Sequence, residues 1–201
     1  MAKANWVKVD PNKGSGNATV NVSSLTEHTG RNARTTILTW KAANVADIER
    51  KVSQAGKPEY VDIDDSASSD KAGKVVTISG VSNSAKLTFA FGSGDLTNIT
   101  LPSTYTANSV STANGANIAG DPGASAEYNF SISITVPSNE GITALSRQVI
   151  VTDGAGHQDV CTLTLAAGDA YLTVQVGDIE LGWEGNPVAV SVESNTTWTI
   201  E

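Results

Sequence analysis

The chain has 201 residues, 39% apolar and 17% charged, with a net charge of −8, so it is long enough for two modules of about 100 residues but not for a multidomain enzyme. An acidic surface argues against partnership with nucleic acid or with an anionic membrane. A single cysteine and two histidines exclude an intrachain disulfide and a structural zinc site. Ser and Thr together number 43, against one Met and six Pro, a palette of short strands and polar turns rather than of helices.

In chain order, strands are expected over 6–9, 18–22, 35–40, 75–78, 148–152 and 171–176, from short β-branched runs. Residues 46–52 carry the charges of a helix but also the alternation of a strand through Ile48, Arg50 and Val52. Leu87, Phe89 and Phe91 share one strand face. The clearest alternation is Tyr128, Phe130, Ile132, Ile134 and Val136 against Asn129, Ser131, Ser133 and Thr135, which gives one packed face and one wet face. Cys161, Leu163 and Leu165 form a similar set, as do Val188, Val190 and Val192. Turns are expected at 11–14, 92–95, 121–123 and 153–156. Strands at this spacing predict an all-β Greek-key sandwich architecture.

Sliding the sequence by 112 positions aligns 46–83 with 158–195 without a gap. Eight pairs are identical, among them Gly56/Gly168, Gly73/Gly185, Ser82/Ser194 and Asn83/Asn195, so positions that carry turn geometry recur. The repeat favours a strand over 46–52. It is also out of phase with the chain: residues 4–11 read as late in one unit and 194–201 as early in another. The reading is therefore two immunoglobulin-like units, one over 64–170 and one composite of 1–63 with 171–201, split between the termini and completed within the chain or by a neighbour. Residues 1–63 carry nine Lys/Arg against six Asp/Glu and 171–201 none against five, so a basic part faces an acidic part. Opposite charge of this kind selects partners more than it supplies affinity.

The composite text resembles the BACON domain, an immunoglobulin-like module of Bacteroidetes proteins and of the crAss-like phages that infect them. The resemblance lies in Ser194-Asn195 followed by Trp198, in Trp6-Val7-Lys8-Val9 leading to Pro11 and Gly14-Ser15-Gly16, in Gly30 with Arg34, and in Gln54-Ala55-Gly56. Residues 64–170 keep Ser82-Asn83, Arg147 and Ala167-Gly168 but no tryptophan. The resemblance implies either a role in a virion or the carbohydrate binding for which the family is named.

Chemistry is sparse. His157 and Cys161 share strand parity, which places a base near a thiol, but Cys161 also alternates with Leu163 and Leu165 as a small core residue. The run Asp62-Ile63-Asp64-Asp65 with Asp70 offers oxygens to Ca²⁺ without EF-hand spacing, and reads better as a solvated linker. No phosphate loop, zinc motif or nucleophile elbow occurs, so neither an enzyme nor a cofactor is expected. Contact candidates are Trp6, Trp198, Val188, Val190, Val192 and Ile200 at the terminal segments. Trp183, after Leu181-Gly182, is a candidate exposed platform for protein or sugar. Residues 101–126 show no alternation and read as an ordered contact loop carrying Tyr105.

The expected function is that of a non-enzymatic structural protein of a phage virion, a capsid-auxiliary or decoration protein. Its partners would be copies of itself and other virion proteins such as a major capsid protein, with glycan as the alternative. The expected place of assembly is the host bacterial cytoplasm, because residues 1–6 lack the apolar core of a signal peptide.

Overall fold

The computed structural model describes residues 3–175 and 177–201. The expected strand over 171–176 therefore has its last residue, Val176, outside the described residues, as do Met1 and Ala2. The protein is all-β, with no α-helix among the described residues.

The centre of the chain holds the core. Strands β5 (Val61–Ile63), β6 (Ser66–Ser69), β7 (Lys74–Ser82), β8 (Thr88–Gly94), β9 (Thr104–Ala107), β10 (Val110–Ala113), β11 (Tyr128–Val136), β12 (Leu145–Thr152) and β13 (Gln158–Leu165) form two facing sheets. One runs β10-β9-β11-β7-β5 and the other β6-β13-β12-β8. The period-two alternation explains why they close on one another: Phe130, Ile132, Ile134 and Val136 are buried from one sheet, and Val149, Val151, Cys161, Leu163 and Leu165 from the other. Phe89 seals the middle, its ring 5.0 Å from Tyr105 and 5.9 Å from Phe130.

On the N-terminal side lie two hairpins, β1 (Val7–Asp10) with β2 (Asn21–Ser24) and β3 (Arg34–Trp40) with β4 (Ile48–Gln54). The charged segment at 48–54 is a strand. On the C-terminal side β14 (Leu172–Val174) pairs with β15 (Val192–Ser194).

Three expectations are corrected. Residues 101–126 are not one irregular loop, because β9 and β10 form a hairpin there. Its turn residues Asn108 and Ser109 have φ of 47° and 65°, the left-handed pair that a two-residue hairpin turn needs. Tyr105 therefore points into the core, 3% exposed, and is no contact residue. Residues 92–95 are not a turn before a new strand, since β8 continues to Gly94, where the pairing with β12 shifts register between Arg147 and Val149. The strand expected through Val188, Val190 and Val192 is present only from Val192. Its counterpart β7 is nine residues long because β11 pairs with it along its whole length, and among the described residues no strand plays that part for β15.

Candidate contact surfaces

The ends of the central sandwich are two joints built alike. At the first, Ser82-Asn83 ends β7. The buried Asn83 side chain donates from Nδ2 to the carbonyls of Thr29 (3.1 Å), Lys57 (3.2 Å) and Pro58 (3.1 Å), and its Oδ1 accepts from the Tyr60 amide (3.0 Å). The Ser82 hydroxyl donates to the Tyr60 carbonyl at 2.7 Å. Arg31 locks the same joint, reaching the Asn83 carbonyl and the Asp121 carboxylate at 2.6 Å each. Gly123 is needed there because a Cβ would strike the Asn83 carbonyl.

At the second joint Ser194-Asn195 ends β15. Asn195 donates to the carbonyls of Glu140 (3.1 Å) and Asp169 (2.9 Å) and accepts from the Tyr171 amide (3.0 Å), while Ser194 donates to the Tyr171 carbonyl (2.9 Å). The backbone bond Lys57 N–H to Gly30 at the first joint has its counterpart in Gly168 N–H to Gly141 at the second, both displaced by 111 residues. Because β7 and β11 are antiparallel, with Ser82 opposite Tyr128 and Lys74 opposite Val136, the first joint sits at one end of the sandwich and the second at the other. Among the described residues, no strand pairing or hydrogen bond links 3–57 to 171–201.

Both terminal segments are open. Among the described residues eighteen large apolar side chains are exposed, and fifteen of them lie in 3–57 or 171–201, which together are the smaller part of the chain. That segregation marks unfinished packing rather than the scattered exposure of an ordinary surface. Between the two N-terminal hairpins runs an open groove of about 650 Å³ lined by Val9, Val20, Ile37, Leu38, Trp40 and Lys41. Among the described residues of this segment, Val7 and Leu38 are the only buried large apolar side chains. Trp6 is half-buried under the Arg34 guanidinium, 4.7 Å from its ring, and Arg34 in turn donates to Gln54 (2.8 Å) and Thr26. In the C-terminal segment Val188, Trp198 and Ile200 are 49%, 46% and 84% exposed, and Val190 and Val192 are half-buried. Trp183 is 94% exposed and touches little.

The remaining candidates resolve into structural roles. Cys161 is fully buried, and burial, helped by Asp64, Asp65 and Asp159, pushes its thiol up to about 11. The His157 ring is turned to Asp153, Nδ1 to Oδ2 at 2.8 Å, so the histidine braces the turn between β12 and β13 rather than the thiol. Asp64 and Asp70 accept backbone amides of Ser79 and Ala72. Among the described residues no group of three His, Cys, Asp or Glu is placed to hold a metal ion. The Tyr60 phenol, desolvated and bonded to Glu127 at 2.5 Å, is held well above its ordinary value, which fixes it as a donor across the first joint.

The repeat at 112 residues was the signal in the sequence for the two asparagines. Arg31 and Asp121 carried no such signal, because their pairing spans 90 residues. No protein-family model matches the chain, and comparison with curated proteins finds no match, so the BACON-like reading rests on the residues quoted for it.

Proposed function

We propose that this chain is a non-enzymatic structural protein of a bacteriophage virion, a capsid-auxiliary or decoration protein that assembles through its two terminal segments. The observation that carries the reading is the contrast between a sealed central sandwich and two flanking segments that hold fifteen of the eighteen large apolar side chains exposed among the described residues. Covering such surface stabilises by about 25 cal/mol per Å² of apolar area buried, which favours an assembled state. Placement in a phage particle is supported by the BACON-like residues at Trp6, Trp198 and Ser194-Asn195, and an acidic, lone-cysteine β-protein suits it.

Mass spectrometry and immunogold labelling of purified particles of the phage that encodes the chain test this directly. The protein is expected at a fixed ratio to the major capsid protein. Particles that lack it overturn the reading.

Glycan binding is the second reading, and the near-complete exposure of Trp183 favours it, because a bare indole beside Glu184 and Asn186 is a surface on which a sugar ring can stack. A glycan array probed with the full chain and with Trp183→Ala separates the two. Retention of a glycan by the parent and its loss in the variant supports this role, and no retention by the parent removes it.

A further inference from the structure

The central sandwich is a template for the two open segments. Strands β3 and β4 pair Arg34 with Gln54 and Trp40 with Ile48, and β12 and β13 pair Leu145 with Leu165 and Val151 with Asp159, the same register displaced by 111 residues. On the other side, β14 pairs Leu172 with Ser194 as β5 pairs Val61 with Ser82. The apolar pair Val20 and Val22, entering β2, matches Ile132 and Ile134 of β11 at a displacement of 112. Val188 and Val190 match Val76 and Ile78 of β7 at the same displacement, and Trp198 and Ile200 follow β15 much as Leu87 and Phe89 follow β7. The N-terminal segment thus holds counterparts of β11, β12 and β13. The C-terminal segment holds counterparts of β5, β7 and the start of β8.

In the central unit these two sets are interleaved. β7 lies against β11, and β8 lies against β12. Among the described residues the corresponding edges of β2 and β3 carry no strand, and the groove between the hairpins opens beside them. In this structure the complementary strands of the same chain lie at the far end of a sandwich whose β7 spans nine residues, about 30 Å.

Resting on the assembly reading above, we infer that the occupant of the N-terminal groove is the C-terminal segment of a second copy of this chain. Residues 186–194 lie antiparallel along β2, with Val188 facing Val22 and Val190 facing Val20, and residues 198–200 lie along β3. Charge supports a second copy as the partner, because residues 3–57 carry nine Lys/Arg against four Asp/Glu while 171–201 carry five acidic residues and no Lys or Arg. The contact is head-to-tail, so it propagates into rings or open chains rather than closing a two-fold dimer.

The register gives the test. In the central unit Thr77 opposes Ser133 with their hydroxyls 2.9 Å apart, and the counterparts are Ala189 and Asn21. Full-length Asn21→Cys and Ala189→Cys chains, mixed and oxidised, should form a disulfide-linked pair, while Asn21→Cys mixed with Val110→Cys, on the β10 edge, should not. Sedimentation of the parent should show mass rising with concentration. Should the doubly substituted chain instead cross-link within a single monomer, or the parent remain monomeric at every concentration with no cross-link, self-docking is overturned. Particles that still contain the protein then leave the virion reading standing, whereas particles without it, with the cross-link intact, remove the virion reading alone. A chain that stays monomeric but binds isolated capsid protein through the same groove overturns a second copy as the occupant. Circular dichroism of each variant separates a lost contact from a lost fold.

Discussion

Asn83 and Asn195 hold the same position at successive joints: each accepts the main-chain N–H of the tyrosine that opens the strand pair beyond it, Tyr60 and Tyr171, at 3.0 Å. They differ in burial, since Asn83 is fully enclosed whereas the bonds of Asn195 are exposed.

That difference predicts unequal costs. Asn83→Ala strands three carbonyls and one amide in a closed site, and should lower stability in urea by about 2–4 kcal/mol, although the bond from Arg31 to the residue 83 carbonyl is kept. Asn195→Ala should cost less than about 1 kcal/mol, because water replaces its bonds. Equal midpoint shifts in the two variants would contradict this account of the joints.

A core substitution sets the scale. Ile134 is fully buried between the sheets, so Ile134→Ala should lose about 2–5 kcal/mol through transfer and cavity terms together. Chemical denaturation at constant m value measures it.

The buried thiol yields a pH dependence. Cys161 keeps its proton in the folded state up to about 11, whereas in the unfolded chain it ionises near the ordinary value of 9.0. Its contribution is therefore complete below pH 9 and falls away between pH 9 and 11, where only the unfolded state gains by ionising. Cys161→Val should flatten that part of the stability profile. In the native parent at pH 8, Ellman's reagent should react no faster than the core opens.

Local stability should follow the packing. Amides of β7, β11, β12 and β13 should exchange only through global unfolding, while those of 177–191, where among the described residues Gly185 alone donates a backbone bond, to Gly182, should with that exception exchange freely in dilute solution. Raising the protein concentration should slow exchange in 186–194 and in β2 together, read by mass spectrometry, and leave the central strands unchanged.

Much of the architecture was legible in the residues. Strand β11 matches its alternation end to end, and the 112-residue repeat pointed to Asn83 and Asn195, because a side chain that bonds several main-chain groups must recur wherever the joint does. What escaped was long-range or locally disguised. Tyr105 and Ala107 alternate with threonines that read as loop, and their turn uses Asn-Ser in place of a glycine. Gly92 and Gly94 resemble a turn but sit inside β8, where Gly94 at φ 140° accommodates a bulge. The shortness of β15 was invisible for another reason: a strand's length depends on its neighbour, and Val188, Val190 and Val192 alternate as well as Val76 and Ile78 do. The placing of the terminal segments at opposite ends follows from the antiparallel course of β7 and β11, which no local pattern encodes.

The recurring asparagine also governs shape. Where successive joints share the serine and asparagine bonds to the tyrosine beyond them, the chain leaves each end of the sandwich by the same local turn, so a few side chains direct how one segment follows the next. Altering Asn83 and Asn195 together would loosen both of those directions at once, while the apolar side chains between the two sheets keep their neighbours.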